Sequence, residues 1–411
     1  MFSDLSITLT KTLSKSEKKD QGIYFTPRSI AQQLLDKALL YNSTSSSNLN
    51  ILEPSCGSGE FLSLIIEQQP SFSITAIEKN STIYQSVITE EKFQNINIQI
   101  INQDFLQYTN AANYDLVIGN PPFFVIFKSN VPSKYKQFTT GRPNIFCLFI
   151  IHAITLLKKG GICAFVVPKS FLNSSYYSSV RAEIKINCDI CLLEDYSHLN
   201  DFLETQQSTF GLIIRKRDTK TIFEDDDYSL LVNGEYIFTP YASKLASLFK
   251  GACTLKQLGL AVKTGSIVWN EHKDILSTNS EDTVLLYNTN LTATNDIKLT
   301  TFSNKTKFQY IQKDGMTRPV IVVNRGYGNA KYAFKYAVAS VKNLGQPFLV
   351  ENHLNVIYST NECLPEEELL ELYHKVLQSF QQEKTQQFIN LYFGNNGLSK
   401  TELENVLPIY I

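Results

Sequence analysis

The chain has 411 residues, 43% of them hydrophobic and 19% charged, with a formal net charge of −1. That length supplies two or three domains with a full core, and the charge balance excludes a global basic field of the kind that blankets nucleic acid, so any such surface must be local. The seven cysteines are odd in number and scattered, which excludes a disulfide framework and points to reduced thiols in a cytoplasmic setting.

Residues 1–20 are polar, without the apolar run of a signal peptide. Nothing further on reads as a membrane span. The run 146–157 comes nearest, but it is short and carries His152 and Thr155. Phe25-Thr26-Pro27 precedes an amphipathic stretch, 29–40, in which Ile30, Leu34, Leu35 and Ala38 share a helical face. Thr26 reads as its N-cap and Pro27 as its first residue. A Ser/Asn-rich loop then leads to a strand, a glycine-rich turn and a helix: Ile51-Leu52, then Glu53-Pro54-Ser55-Cys56-Gly57-Ser58-Gly59, then Glu60 onward. Gly57 and Gly59 let backbone approach a ligand closely. The turn lacks the third glycine of a dinucleotide fingerprint and the Gly-Lys-Ser/Thr of a phosphate loop. An acid at the strand tip beside two glycines suits a ligand with an amino-acid head group.

Residues 72–77 form a second strand ending at Glu78, where a carboxylate can hold both ribose hydroxyls of a nucleoside. The alternative is an ordinary capping glutamate. A third strand, 96–101, precedes Asp104-Phe105, an acceptor for an adenine amino group beside a ring. A fourth, 114–119, stops at Asn120-Pro121-Pro122-Phe123. Two prolines cannot extend a sheet ladder, so a rigid turn sets an amide just past the C-terminal end of a central strand, where open α/β sheets bind ligands. The Asn120 side-chain oxygen and the Pro121 carbonyl can accept from an amine on an aromatic ring, and Phe123 can stack on that ring. Taken alone, the same tetrapeptide also reads as a strand-ending turn with core phenylalanines.

Residues 125–143 read as a mobile loop carrying Lys128, Lys134, Lys136 and Arg142, either solvated or a lid over a polyanion. An apolar helix from 146 to 159 is expected to end at Gly160-Gly161. Strands follow at 162–167, 188–194 and 210–215. Cys188 and Cys191 have metal-ligand spacing, but no second pair follows, so no metal site is expected. Strands alternating with helices predict a doubly wound, mostly parallel α/β sheet.

Residues 22–216 resemble the gamma-type adenine-N6 DNA methyltransferases of Type II restriction–modification systems. The resemblance rests on motif order: Phe25-Thr26-Pro27, Glu53 to Gly59, Glu78, Asp104-Phe105, then Asn120-Pro121-Pro122-Phe123. It implies a Rossmann-like class I methyltransferase fold, S-adenosylmethionine as cofactor, double-stranded DNA as partner, and base flipping. It also implies that Phe149 walls the cofactor's adenine pocket. Some relatives carry a second stacking aromatic at the end of the last strand, and the matching position here reads as Lys216.

After the catalytic domain (1–218), the segment 219–245, with its acidic run Glu224 to Asp227, reads as a linker, and 246–411 reads as a separate mixed α+β domain whose run 262–270 resembles the start of the same family's target-recognition domains. In the last, Trp269, Arg325 and Lys331 are candidate DNA contacts. Lysines among aromatics at 331–342 suit a groove that tracks a nucleic-acid backbone, or an exposed ribbon with solvated lysines. One helix is expected over 365–392. A monomer is expected, with any cognate restriction endonuclease on a separate chain. RNA or protein-glutamine methylation is the alternative reading. The long segment after the catalytic motifs favours DNA.

Overall fold

The computed structural model describes residues 2–42, 48–68, 71–94, 97–110, 114–139, 141, 143–199, 208–219, 226–304, 306–325, 333–392 and 398–411. The chain divides into two compact units, Met1–Ala242 and Ser243–Ile411.

The first unit is built on seven strands: β1 (Asn50–Glu53), β2 (Ser73–Glu78), β3 (Ile98–Asn102), β4 (Tyr114–Gly119), β5 (Leu157–Pro168), β6 (Cys188–Asp195) and β7 (Thr209–Lys216). Their order in the sheet is β3-β2-β1-β4-β5-β7-β6. The first five pair in parallel. β7 runs antiparallel to both its neighbours. This is the class I S-adenosylmethionine-dependent methyltransferase topology, as the motif order implied. Side-chain alternation divides the core in two. Leu52, Val117, Cys163, Phe165 and Val167 face one side. Ile51, Leu116, Ile118, Ile162 and Ala164 face the other. The first face is covered by α6 (Ile145–Leu156) and α7 (Ser178–Asn187); the second by α3 (Arg28–Tyr41), α4 (Glu60–Gln68) and α5 (Ser81–Ile88).

Several local expectations are corrected. Helix α3 starts one residue later than predicted: Pro27 is its N-cap, and no side chain caps it. Gly160-Gly161 does not terminate α6. The helix stops at Leu156 and the chain enters β5 at once. The β4–β5 register shifts between Tyr114 and Leu116, and the glycines absorb that irregularity. Gly160 has φ +76°, and a Cβ on Gly161 would lie 2.9 Å from the Tyr114 carbonyl oxygen. Residues 125–139, read as a mobile loop, contain short 3-10 turns and bury Val131 and Tyr135. Residues 219–245 are not a plain linker. They hold a hairpin, β8 (Ser229–Val232) with β9 (Glu235–Phe238), whose Tyr236 and Phe238 join the core under α7. The fully buried Arg181 donates to the carbonyls of Tyr236, Phe171 and Ser174. Lys185, also buried, pairs with Asp226 at 2.6 Å.

The polar N-terminus forms two helices, α1 (Asp4–Thr12) and α2 (Lys15–Gln21), N-capped by Ser3 and Ser14.

The second unit is mixed α+β. One antiparallel sheet has β10 (Leu260–Thr264), β17 (Leu354–Ser359), β14 (Val320–Asn324) and β15 (Tyr336–Ala339). The other has β11 (Leu276–Ser277), β13 (Tyr310–Ile311), β12 (Thr283–Leu286) and β16 (Phe348–Val350). The helix expected over 365–392 is broken at Gln382, whose extended ψ of 143° splits it into Glu366–Gln381 and Glu383–Tyr392.

Candidate active site

The C-terminal ends of β1, β2 and β4 open onto a cavity of about 910 Å³, including its mouth. Most of the residues singled out from sequence line it: Phe25, Thr26, Glu53, Pro54, Ser55, Cys56, Gly57, Glu78, Asp104, Phe105, Asn120, Pro122 and Phe149. Pro27, Gly59, Pro121 and Phe123 stand outside the lining.

The glycine turn is held in place from below. The Cys56 amide donates to the Ile77 carbonyl, and the Gly57 amide to Glu78 Oε2 at 3.0 Å. Gly57 and Gly59 have φ of +53° and +78°, in the left-handed region that side chains disfavour. The Phe25 ring packs 3.5 Å from where a Gly57 Cβ would sit. Glu78 Oε1 accepts from the Asn80 amide at 2.7 Å. Both carboxylate oxygens are thus oriented by backbone donors while the group faces the cavity. Burial raises the Glu78 pKa, and those backbone hydrogen bonds oppose the rise.

Glu53 is 1% exposed, and its Oε2 has no hydrogen-bond partner. Burial pushes its pKa well up, and the nearby carboxylates of Glu78 and Glu60 push it further. Such an unsatisfied buried acceptor among acids is costly until a cation arrives. It fits the ammonium of an amino-acid head group. Phe105 and Phe149 form an apolar corner, centroids 4.8 Å apart, with His152 edge-on to Phe105 at 4.7 Å. Asp104 is less open than expected. One of its oxygens pairs with Lys79 at 2.9 Å and the other caps the turn at the Leu106 amide.

Asn120 is where the cavity meets β4. Its Nδ2 donates to the Tyr24 carbonyl at 3.2 Å, and its own carbonyl accepts from Ser55 Oγ. Its Oδ1 is buried and has no partner. The amide is therefore pinned with its acceptor unused. Phe123 is half-buried and rests edge-on against Phe146 at 5.7 Å. Gly22 is what lets the N-terminal segment reach this turn. Its φ is +62°, and a Cβ there would meet the Phe124 ring at 2.8 Å and the Phe123 amide at 2.9 Å.

Several lining residues carry no motif signal: Gln21, Tyr24, Lys79, Ile83, Phe124 and Ile145. Asn80 also escaped notice, although an asparagine two residues beyond a strand-end acid is a recognisable cap. It caps α5 and donates to Glu17 and Gln21 of α2. The reading of Lys216 as the counterpart of a second stacking aromatic is corrected. Because β7 is antiparallel, Lys216 lies at the opposite edge of the sheet, bonded to the Leu157 carbonyl at 2.7 Å.

Lys128, Lys134 and Lys136 are exposed. Arg142 and Lys331 lie outside the described residues. In the second unit Trp269 is half-buried, with Lys307 and Lys273 over its ring. Arg325 ends β14 half-buried, its Nη1 donating to the Asn352 carbonyl at 3.0 Å. No metal-ligating cluster of three or more residues occurs among the described residues.

Comparison with known proteins places this geometry. Residues 10–202 match the Eco57I restriction-modification methylase family. The modification methylase CviBIII of Paramecium bursaria Chlorella virus NC1A is 26% identical over 417 aligned positions, covering 100% of this chain and 99% of that one. The chain is thus similar along its whole length to a modification methylase and to a Type II methyltransferase. The Type II methyltransferase M.CvrRI of Paramecium bursaria Chlorella virus XZ-6E is 27% identical with the same coverage. M.AccI of Acinetobacter calcoaceticus is 31% identical over 180 positions, 42% of this chain and 32% of that one. The cofactor is S-adenosylmethionine, and the donor set fits it: Glu78 for a diol, Glu53 for an ammonium, the Phe105–Phe149 corner for a purine. No described helix is long and apolar enough to cross a membrane.

Proposed function

We propose that the chain is a site-specific DNA methyltransferase acting on N6 of an adenine rotated out of double-stranded DNA. The observation that carries this reading is the Asn120 amide: Nδ2 tied to Tyr24, Oδ1 buried and unpartnered, on a double-proline turn beside the cofactor cavity. An adenine amine is a poor nucleophile because its lone pair is delocalised into the ring. Asn120 Oδ1 and the Pro121 carbonyl accept its two hydrogens, draw the nitrogen toward tetrahedral geometry, and stabilise the positive charge that develops on it. S-Adenosylmethionine supplies an electrophilic methyl group on a sulfonium. Phe123, buttressed by Phe146, offers a ring face on which the base stacks and is held in line. The proton lost from N6 passes to solvent, with no dedicated general base.

The restriction-modification description of the matching family, with the modification methylase and Type II methyltransferase names of the relatives aligned along the whole chain, supports DNA as the polymer. The test is sequencing of host or plasmid DNA for N6-methyladenine after expression, beside Asn120→Ala. Wild type is expected to mark adenine at one short sequence. Asn120→Ala is expected to lose turnover while binding S-adenosylmethionine within a few-fold of wild type. Methylated cytosine, or unmodified DNA, would refute the adenine reading. A variant that loses cofactor affinity and keeps turnover would refute the role of Asn120.

A further inference from the structure

Seven residues past Asn120, Phe127 is 80% exposed, the most exposed large hydrophobic side chain among the described residues. Its backbone is not slack. The Ile126 amide donates to the Pro143 carbonyl at 2.9 Å and the Ile145 amide to the Phe124 carbonyl at 3.0 Å. Val125 bridges Asn144 in antiparallel fashion, so 124–126 is clamped to the segment that starts α6. Period-two alternation along this clamp sends Ile126 inward, against the core, and leaves Val125 and Phe127 outward. The Asn130 amide closes the following turn on the Phe127 carbonyl at 2.9 Å. The chain therefore holds an aromatic ring in water on a fixed support, three residues past Phe124, which lines the cavity.

The surroundings indicate what covers it. Lys128 is next in sequence, and Lys134 and Lys136 follow on the same segment, all exposed. An apolar ring flanked by cations matches a base step flanked by phosphates, where stacking needs an apolar plane and the backbone on either side needs positive charge. Rotating an adenine out of a duplex breaks its stacking and leaves a gap beside its former partner, and apolar side chains inserted at such steps offset that loss. We infer that Phe127 inserts into the duplex at the target step and fills the gap left by the extruded adenine. This rests on the adenine reading above and adds a DNA-binding residue outside the cofactor cavity and the Asn-Pro-Pro-Phe turn.

The experiment compares wild type, Phe127→Ala and Phe127→Trp on two duplexes carrying the sequence that wild type methylates. In one the target adenine is paired with thymine; in the other it faces an abasic site, so extrusion breaks no base pair. On the paired duplex Phe127→Ala is expected to lose roughly ten- to a hundredfold in kcat/KM, the range that deletion of a base-stacking ring produces. On the abasic duplex the loss is expected to shrink to within about threefold, and Phe127→Trp is expected to stay near wild type on both. With the target replaced by 2-aminopurine, fluorescence enhancement on binding should fall for Phe127→Ala on the paired duplex only. Equal losses on the two duplexes, or no loss on the paired one, would overturn the inference while leaving adenine methylation standing. A wild type that methylates no duplex at adenine would overturn the reading beneath it, and the wedge with it.

Discussion

At the scale of single residues the cofactor cavity is dominated by acid. Glu53, Glu60 and Glu78 converge on it, and burial holds the Glu53 carboxyl neutral well above the pH at which a free glutamate ionises. The folded protein binds this proton more tightly than the unfolded chain does, so the group's contribution to stability is full below the ordinary value near 4.5 and declines as pH rises toward the raised value. Cofactor binding runs the other way. An ammonium docked at Glu53 Oε2 favours the ionised form, so affinity for S-adenosylmethionine should climb as pH rises through the raised value and then level off. Glu53→Gln should bind more weakly at neutral pH and with a shallower profile, since the carboxyl whose ionisation the ammonium favours is gone. Calorimetry across pH reads both effects. Superimposable profiles for wild type and Glu53→Gln would remove Glu53 from the head-group site.

At the scale of elements, what the sequence revealed and what it hid have different physical origins. The centre of the parallel core was legible because β1, β2 and β4 are largely aliphatic runs that lead into a chemically distinctive residue: Glu53, Glu78, Asn120. The hairpin β8–β9 was not legible, because what makes it part of the first unit is a side chain far away in sequence. Arg181, on α7, donates to the Tyr236 carbonyl of the hairpin and to the carbonyls of Phe171 and Ser174, tying the three together. Helices α1 and α2 were hidden for a similar reason. Their polar faces meet tertiary partners: Ser3 and Ser6 reach Glu60, and Glu17 and Gln21 reach Asn80. The Gly160-Gly161 pair misled because a glycine pair after an apolar run signals a helix cap and a strand irregularity equally well. Arg181→Met keeps most of the volume and removes the donors. With the donors to these acceptors removed at a total cost of about 2–5 kcal/mol, the melting temperature should fall by roughly 5–15 °C. A change of under a degree in a thermal scan would mean that the apolar contacts of Tyr236 and Phe238 alone hold the hairpin.

At the scale of the whole molecule, a net charge of −1 must still accommodate a polyanion. The resolution we propose is a division of labour: cations beside the chemistry bind the backbone, and the second unit reads the bases. Lys128, Lys134 and Lys136 are exposed, follow the Asn120–Phe123 turn in sequence, and make no ion pair among the described residues. Replacing all three with alanine should weaken binding to every duplex by a similar factor. Because each lost phosphate contact lowers the salt dependence by roughly 0.9 in the slope of log K against log salt, the slope should fall by about two to three. The methylated sequence should not change, since phosphate contacts carry no base identity. Arg325 tests the other half. Its Nη1 is spent on the Asn352 carbonyl, which leaves the rest of the guanidinium fork for a base edge, where paired donors from arginine select guanine. Arg325→Ala should relax one position of the recognised site at an unchanged salt slope. Methylation-site sequencing on a random plasmid library, with anisotropy titrations across salt, separates the two effects. If the triple-lysine variant altered the site and Arg325→Ala did not, the residues that choose the sequence would lie on the first unit, beside the chemistry.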